Sequence, residues 1–93
     1  MYLACYRYDG DPDDLEAKYR TLLAPFAADI AVQLAVRRRD GLDVYDSCPS
    51  EQQFRDFSTS AAFRTVQADA GLPEPRVEGL GEVVHVIAKD RVG

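Results

Sequence analysis

The sequence contains no tryptophan, one histidine, one methionine and two cysteines in 93 residues. Cys5 and Cys48 have neither the spacing of a CxxC metal pair nor the density of a disulfide scaffold, so both are expected to be reduced, with Cys5 serving in packing. Together with a single histidine they make no ligand set, and neither metal nor cofactor is expected. Positive charge is also scarce. Eleven Lys and Arg stand against 16 Asp and Glu, a formal charge of −5 that repels phosphate backbones and argues against a nucleic-acid partner. No apolar run approaches membrane-spanning length, and no basic segment leads into an apolar stretch with a small-residue cleavage site. A cytoplasmic protein without a membrane association is expected. Glycine-rich phosphate loops, nucleophile elbows and RNA-binding aromatic signatures are missing as well.

What is present is a regular succession of elements in a chain of single-domain length, 1–93. Residues 2–8 mix tyrosines with short apolar residues and close at Asp9-Gly10, a strand ending in a turn. Asp11 is then a good N-cap, Pro12 suits the first helical position, and Asp13, Asp14 and Glu16 place negative charge where the helix dipole favours it. At 100° per residue Leu15, Tyr19, Leu22, Leu23 and Phe26 fall within an arc of about 100°, one apolar stripe, and Pro25 predicts an end near Ala24. Ile30, Val32, Leu34 and Val36 alternate with Ala31, Gln33, Ala35 and Arg37, and the first row is read as the core side. Asp40-Gly41 signals a type I′ hairpin returning through Leu42 to Asp46. Arg37, Arg38 and Arg39 at this end are read as a solvated charge cluster.

Pro49 breaks the chain before a capping box of Ser50 and Gln53. Phe54, Phe57 and Ala61 share one helix face, whereas Phe63, Val66 and Ala70 point nearly opposite if that helix runs straight. A restart near Ser58-Thr59-Ser60, with Ser60 as a second N-cap, brings both sets onto one surface. Gly71 predicts the C-terminal cap, Leu72 its hydrophobic contact, and Pro73 and Pro75 forbid continuation. The last strand is expected over Val77 to Ala88, with Gly79 and Gly81 marking a bulge or bend.

The order β-α-β-β-α-β predicts an α+β fold, the ferredoxin-like plait: a four-stranded antiparallel sheet with both helices on one face. The other face is left bare. Its half-apolar row Ala31, Gln33, Ala35 is too apolar for a solvated surface, so a homodimer through the open sheet face is expected.

The length of the plait, the Ser50 capping box, the helix "SEQQFRDFSTSAAF" and the closing "GLPEPRVEGLGEVVHV" resemble the dimeric α+β barrel superfamily, especially its antibiotic-biosynthesis-monooxygenase-like branch. The resemblance covers almost the whole chain and implies a dimeric α+β barrel and, as one activity, cofactor-independent oxygenation of a small aromatic substrate. In that branch the second helix often carries His, two residues, Ser, two residues, Phe. Here the same spacing is Phe57, Ser60, Phe63, with Phe57 in the histidine's place, so members that use that histidine to hold haem or assist chemistry are poor models.

Two functional readings follow. In one, the domain binds a small hydrophobic or aromatic molecule between sheet and helices. In the other it is a cofactor-independent monooxygenase or isomerase, with His85 in the last strand as general base and Tyr6 of the adjacent strand orienting the substrate. Arg7, Tyr45 and Phe57 are the further ligand-binding candidates.

Overall fold

Alternation along the first strand decides the two faces of the sheet. The computed structural model describes residues 1–23 and 30–89, with the element order β1 (Tyr2–Asp9), α1 (Pro12–Leu23), β2 (Gln33–Arg38), β3 (Gly41–Cys48), α2 (Glu51–Ser58), α3 (Ala61–Asp69) and β4 (Arg76–Glu82). Tyr2, Ala4, Tyr6 and Tyr8 of β1 join Leu42 and Val44 of β3 in one core with Leu15, Tyr19, Phe54, Phe63 and Leu72. The even residues of β1 therefore lie under the helices, and the odd residues Leu3, Cys5 and Arg7 point to the opposite face. Burying Tyr8, Leu42 and Leu15 contributes roughly 1.5–3 kcal/mol each.

The four strands form one antiparallel sheet in the order β2-β3-β1-β4, the strand order of the ferredoxin-like plait. Helix α1 starts as its sequence dictates: the Asp11 carboxylate accepts from the Asp14 backbone N–H at 3.2 Å, and Pro12 is the first helical residue. Leu15 and Tyr19 are buried on its stripe and Leu22 packs at the margin. Leu23 as a packing side chain, Phe26, and the helix end expected at Ala24 and Pro25 fall outside the described positions.

The expected break in the second helix is present. Helix α2 ends at Ser58 and α3 restarts at Ala61, where the Ser60 hydroxyl accepts from the Phe63 N–H at 3.1 Å. Helix α3 closes with paired bonds from the Gly71 N–H to the Ala68 carbonyl and from the Leu72 N–H to the Gln67 carbonyl. Gly71 at φ 76° makes this cap possible, and Leu72 is buried in the core. Among the described residues no helix is long and apolar enough to cross a membrane.

Three expectations are corrected. The hairpin turns on Arg39-Asp40, because Arg38 pairs with Gly41, and neither Asp40 nor Gly41 has positive φ, so the turn is not type I′. Glycine is required at 41 for space: a Cβ there would overlap the Tyr8 carbonyl oxygen and the Arg38 guanidinium. The face assignment of β2 is reversed. Gln33, Ala35 and Arg37 stand opposite Asp46, Val44 and Leu42, on the helix side, which leaves Leu34 59% and Val36 46% exposed on the open face. The register forces this, since the buried Leu42 and Val44 of the inner strand claim the helix side, and Arg37 then reaches Asp13 and Glu16 of α1. Finally, β4 ends at Glu82 rather than at Ala88. Its partner β1 begins at Tyr2, the ladder closes with Tyr2 opposite Glu82 and a Val83 N–H to Met1 carbonyl bond of 2.8 Å, and Val83–Lys89 carry no strand pairing. The expected irregularity at Gly79 and Gly81 is a register shift opposite Leu3 and Ala4.

The Arg38 guanidinium ties this corner together, bonding Asp43 at 2.8 Å, Asp40 at 2.9 Å, the Tyr8 carbonyl at 3.0 Å and Asp9 at 3.1 Å. Two of the three arginines read as a solvated cluster, Arg37 and Arg38, are thus internally neutralised. Gly41→Ala, which must displace either that guanidinium or the β1 backbone, is expected to lower stability by about 2–3 kcal/mol in urea denaturation.

Candidate functional site

Side-chain shape leaves a gap where the sheet meets the helices. The cleft has a volume of about 210 Å³. Tyr6 and Tyr8 of β1, Val44, Asp46, Ser47 and Cys48 of β3, and Gln33 of β2 form its floor. Tyr19 and Leu22 of α1, Phe57 of α2, and Phe63, Val66 and Gln67 of α3 form its walls, with Ile30 and Pro49 at the margin. An apolar cavity of about 150 Å³ accommodates benzene, so this space suits one substituted ring.

Aromatic packing sets the walls. Tyr6 stacks on Phe63 with centroids 5.4 Å apart, and Phe57 meets Phe63 edge-on at 5.2 Å. Polar groups are few and mostly paired. The Tyr8 hydroxyl donates to Gln67 Oε1 at 2.6 Å, and the Tyr19 hydroxyl donates to Gln33 Oε1. Two buried atoms have no hydrogen-bond partner among the described residues, the Tyr6 hydroxyl and Asp46 Oδ1. They belong to one another's neighbourhood: Tyr6 lies opposite Val44 and Asp46 opposite Ala4, which makes the two side chains diagonal neighbours on the helix side of the β1–β3 pair. Each buried, unpaired polar atom costs roughly 1–3 kcal/mol.

Loss of water pushes the Asp46 carboxyl up to about 6, although hydrogen bonds from Gln33 and from the Ser47 backbone pull the other way. Burial likewise raises Tyr6, with Cys48, Asp46 and Tyr8 adding to it, and raises Tyr8 and Tyr19, so all three phenols stay neutral. The Cys48 thiol is pushed up by burial and then by Asp46. The described lining holds no Lys, Arg or His. The contrast with Asp43, three residues earlier on the other face, is sharp: that carboxylate takes Arg7 Nη1 at 3.0 Å and Arg38 Nε at 2.8 Å. Among the described residues no three His, Cys, Asp or Glu side chains converge as a metal set.

Of the residues singled out from sequence, Tyr6 and Phe57 line the cleft. Arg7 and Tyr45 do not. Both lie on the open face, where Arg7 bridges Asp43 and Glu78 and Tyr45 stands opposite Cys5. His85 lies beyond the end of β4, exposed, in the segment where Val84 is 95% exposed, and it is not part of the cleft. The expected pairing of His85 with Tyr6 is therefore corrected, because β1 offers no partner strand past Tyr2 to carry the histidine back over the sheet. Asp46 is the residue that sequence reasoning missed. Its signal is present in "LDVYDSC", where the alternation Leu42, Val44, Asp46, Cys48 places a carboxylate in the apolar phase. Gln33, Gln67, Tyr8 and Tyr19 carried no comparable signal.

Because the folded-state value of Asp46 stands above its ordinary 3.8, the folded protein holds that proton more tightly than the unfolded chain between pH 4 and 6. Its contribution to stability is therefore lost as pH rises through that window and stays lost above it. Asp46→Asn is expected to raise stability at pH 7.5 by on the order of 1–2 kcal/mol, allowing for solvent screening of this partly exposed group, with the gain vanishing near pH 3.5. Thermal unfolding of both proteins across that range checks this. Compared with models of protein families and with curated protein sequences, the chain matches none.

Proposed function

We propose that this domain binds a small hydrophobic or aromatic molecule in the cleft between sheet and helices, with the ligand's polar group meeting Tyr6 and Asp46. The observation that carries the reading is the pair of buried, unpartnered polar atoms on the floor of a largely aromatic and aliphatic cleft. Proteins satisfy buried polar groups, and a ligand with one polar substituent satisfies both at once. Cys5 and Cys48 are free thiols, in keeping with a cytoplasmic setting.

A second reading, a cofactor-independent enzyme, draws on Asp46. A carboxyl held near 6 is matched to proton transfer at neutral pH, and the Tyr6 phenol beside it can donate to a developing oxyanion. These groups favour an isomerase, moving a proton on an enolisable substrate, over the monooxygenase alternative.

The test fills the cleft. Val66→Phe places a ring into the space that Val66 borders. Wild-type protein is expected to bind toluene and phenol, read as a rise in melting temperature and as shifts of the Val44 methyl signals in NMR. The variant is expected to lose both responses while remaining folded, and equal binding by the variant would place the ligand elsewhere.

The open face supports a homodimer of the dimeric α+β barrel kind. Leu34 and Val36 stand exposed on it, and Leu80 at the register shift is 44% exposed. Stacking the same face of a second copy buries these side chains in both chains. Sedimentation at micromolar concentration is expected to give about twice 10.3 kDa, and Leu34→Glu with Val36→Glu to give the monomer. A wild-type monomer would overturn the pairing.

A further inference from the structure

We infer that the ligand of the cleft is a small organic cation, a protonated primary or secondary amine carried on a body of about one ring. This rests on the reading of the cleft as a ligand site and names the chemistry it selects. Asp46 is a carboxylate without a counter-cation: the described lining has no Lys, Arg or His, and no described ion pair includes it. Its Oδ1 is buried and unpaired. A carboxylate stripped of part of its water, with one oxygen left unpaired, is costly unless a cation arrives to meet it, and here no described residue supplies one.

The remaining polar atoms agree with a donor-bearing guest. The Tyr6 oxygen has free lone pairs, and the amide oxygens of Gln67 and Gln33 each accept one tyrosine hydroxyl and retain a second lone pair. An ammonium brings two or three N–H donors to these acceptors, including a charge-assisted bond to Asp46. Five aromatic rings line the same space, Tyr6, Tyr8, Tyr19, Phe57 and Phe63, and an ammonium is attracted to aromatic rings where it can lie over a free face. A carboxylate or phosphate guest would meet Asp46 with no compensating cation.

Charge at the site follows Asp46 alone. The titratable groups that face it are Tyr6 and Tyr8 from β1, Tyr19 from α1 and Cys48 from its own strand, all held neutral by burial, whereas α2 and α3 present Phe57, Phe63, Val66 and Gln67, which do not titrate. Amine affinity is therefore expected to fall as pH drops through about 6, where the carboxylate is lost.

Three probes of one size decide the matter: benzylamine, benzyl alcohol and benzoate, titrated into the intact protein at pH 7.5 and 5.0 and followed by the Val44 and Val66 methyl signals. The expected result is benzylamine at least ten-fold tighter than benzyl alcohol at pH 7.5, benzoate weakest, and the amine's advantage reduced at pH 5.0. In Asp46→Asn the amine-to-alcohol ratio should collapse towards one. Benzyl alcohol or benzoate binding as tightly as benzylamine would overturn the cation inference and leave the cleft a ligand site. No response of either methyl to any of the three would overturn both.

Discussion

Tyr6 is the side chain on which the arrangement turns. It lies on the central strand, stacked on Phe63 of α3 at 5.4 Å and met edge-on by Phe54 of α2 at 6.4 Å. Phe54 and Phe63 are nine residues apart, which on an unbroken helix places them about 180° from one another. Both can reach one tyrosine because the helix ends at Ser58 and restarts behind the Ser60 cap. The phase break lets two short helices clamp the middle of the sheet, and it also sets Phe57 edge-on to Phe63 at the wall of the cleft.

The two faces of β3 handle charge in opposite ways. Asp43 is 4% exposed yet fully compensated, held by Arg7 and Arg38 in a network that reaches Asp9, Asp40 and Glu78. Those arginines could otherwise have formed an anion site, but their forks are occupied by carboxylates. Asp46 faces the helices with only neutral company, Gln33 and the Ser47 backbone. A structural carboxylate looks like Asp43. Asp46, half-buried, with one oxygen unpaired beside an unpaired phenol and no cation among the described residues, weakens the fold locally.

The location of the cleft follows from the layers. Tyrosines at 6, 8 and 19 are too long to close over one another, and their hydroxyls need partners, two of which are glutamines projecting from β2 and α3. The space between them is thus bounded by polar contacts at its ends and by rings at its sides, a shape that a tightly packed aliphatic core would not leave.

Local chemistry determined much of this in the sequence alone. The Asp11 and Ser50 caps, the Ser60 restart and the Gly71 close depend on neighbours within a few residues, and the β-α-β-β-α-β order restricts the sheet to very few topologies. The face of β2 was a contest the sequence stated without resolving. A hairpin of this parity puts Leu34 and Val36 on the side of Asp43 and Tyr45, and Ala35 on the side of Leu42 and Val44, so the two strands cannot both bury their apolar rows under the helices. Position in the sheet decides: β3 lies inside, beneath the helices, and β2 is an edge. Tertiary structure likewise decided the fates of His85 and Asp46. The chain carrying the histidine leaves the sheet after Glu82, past the end of its partner β1, and stays exposed, whereas the carboxylate, written in the apolar phase of β3, acquires its character from long-range packing against α1 and α3 that removes part of its water and, among the described residues, brings no cation.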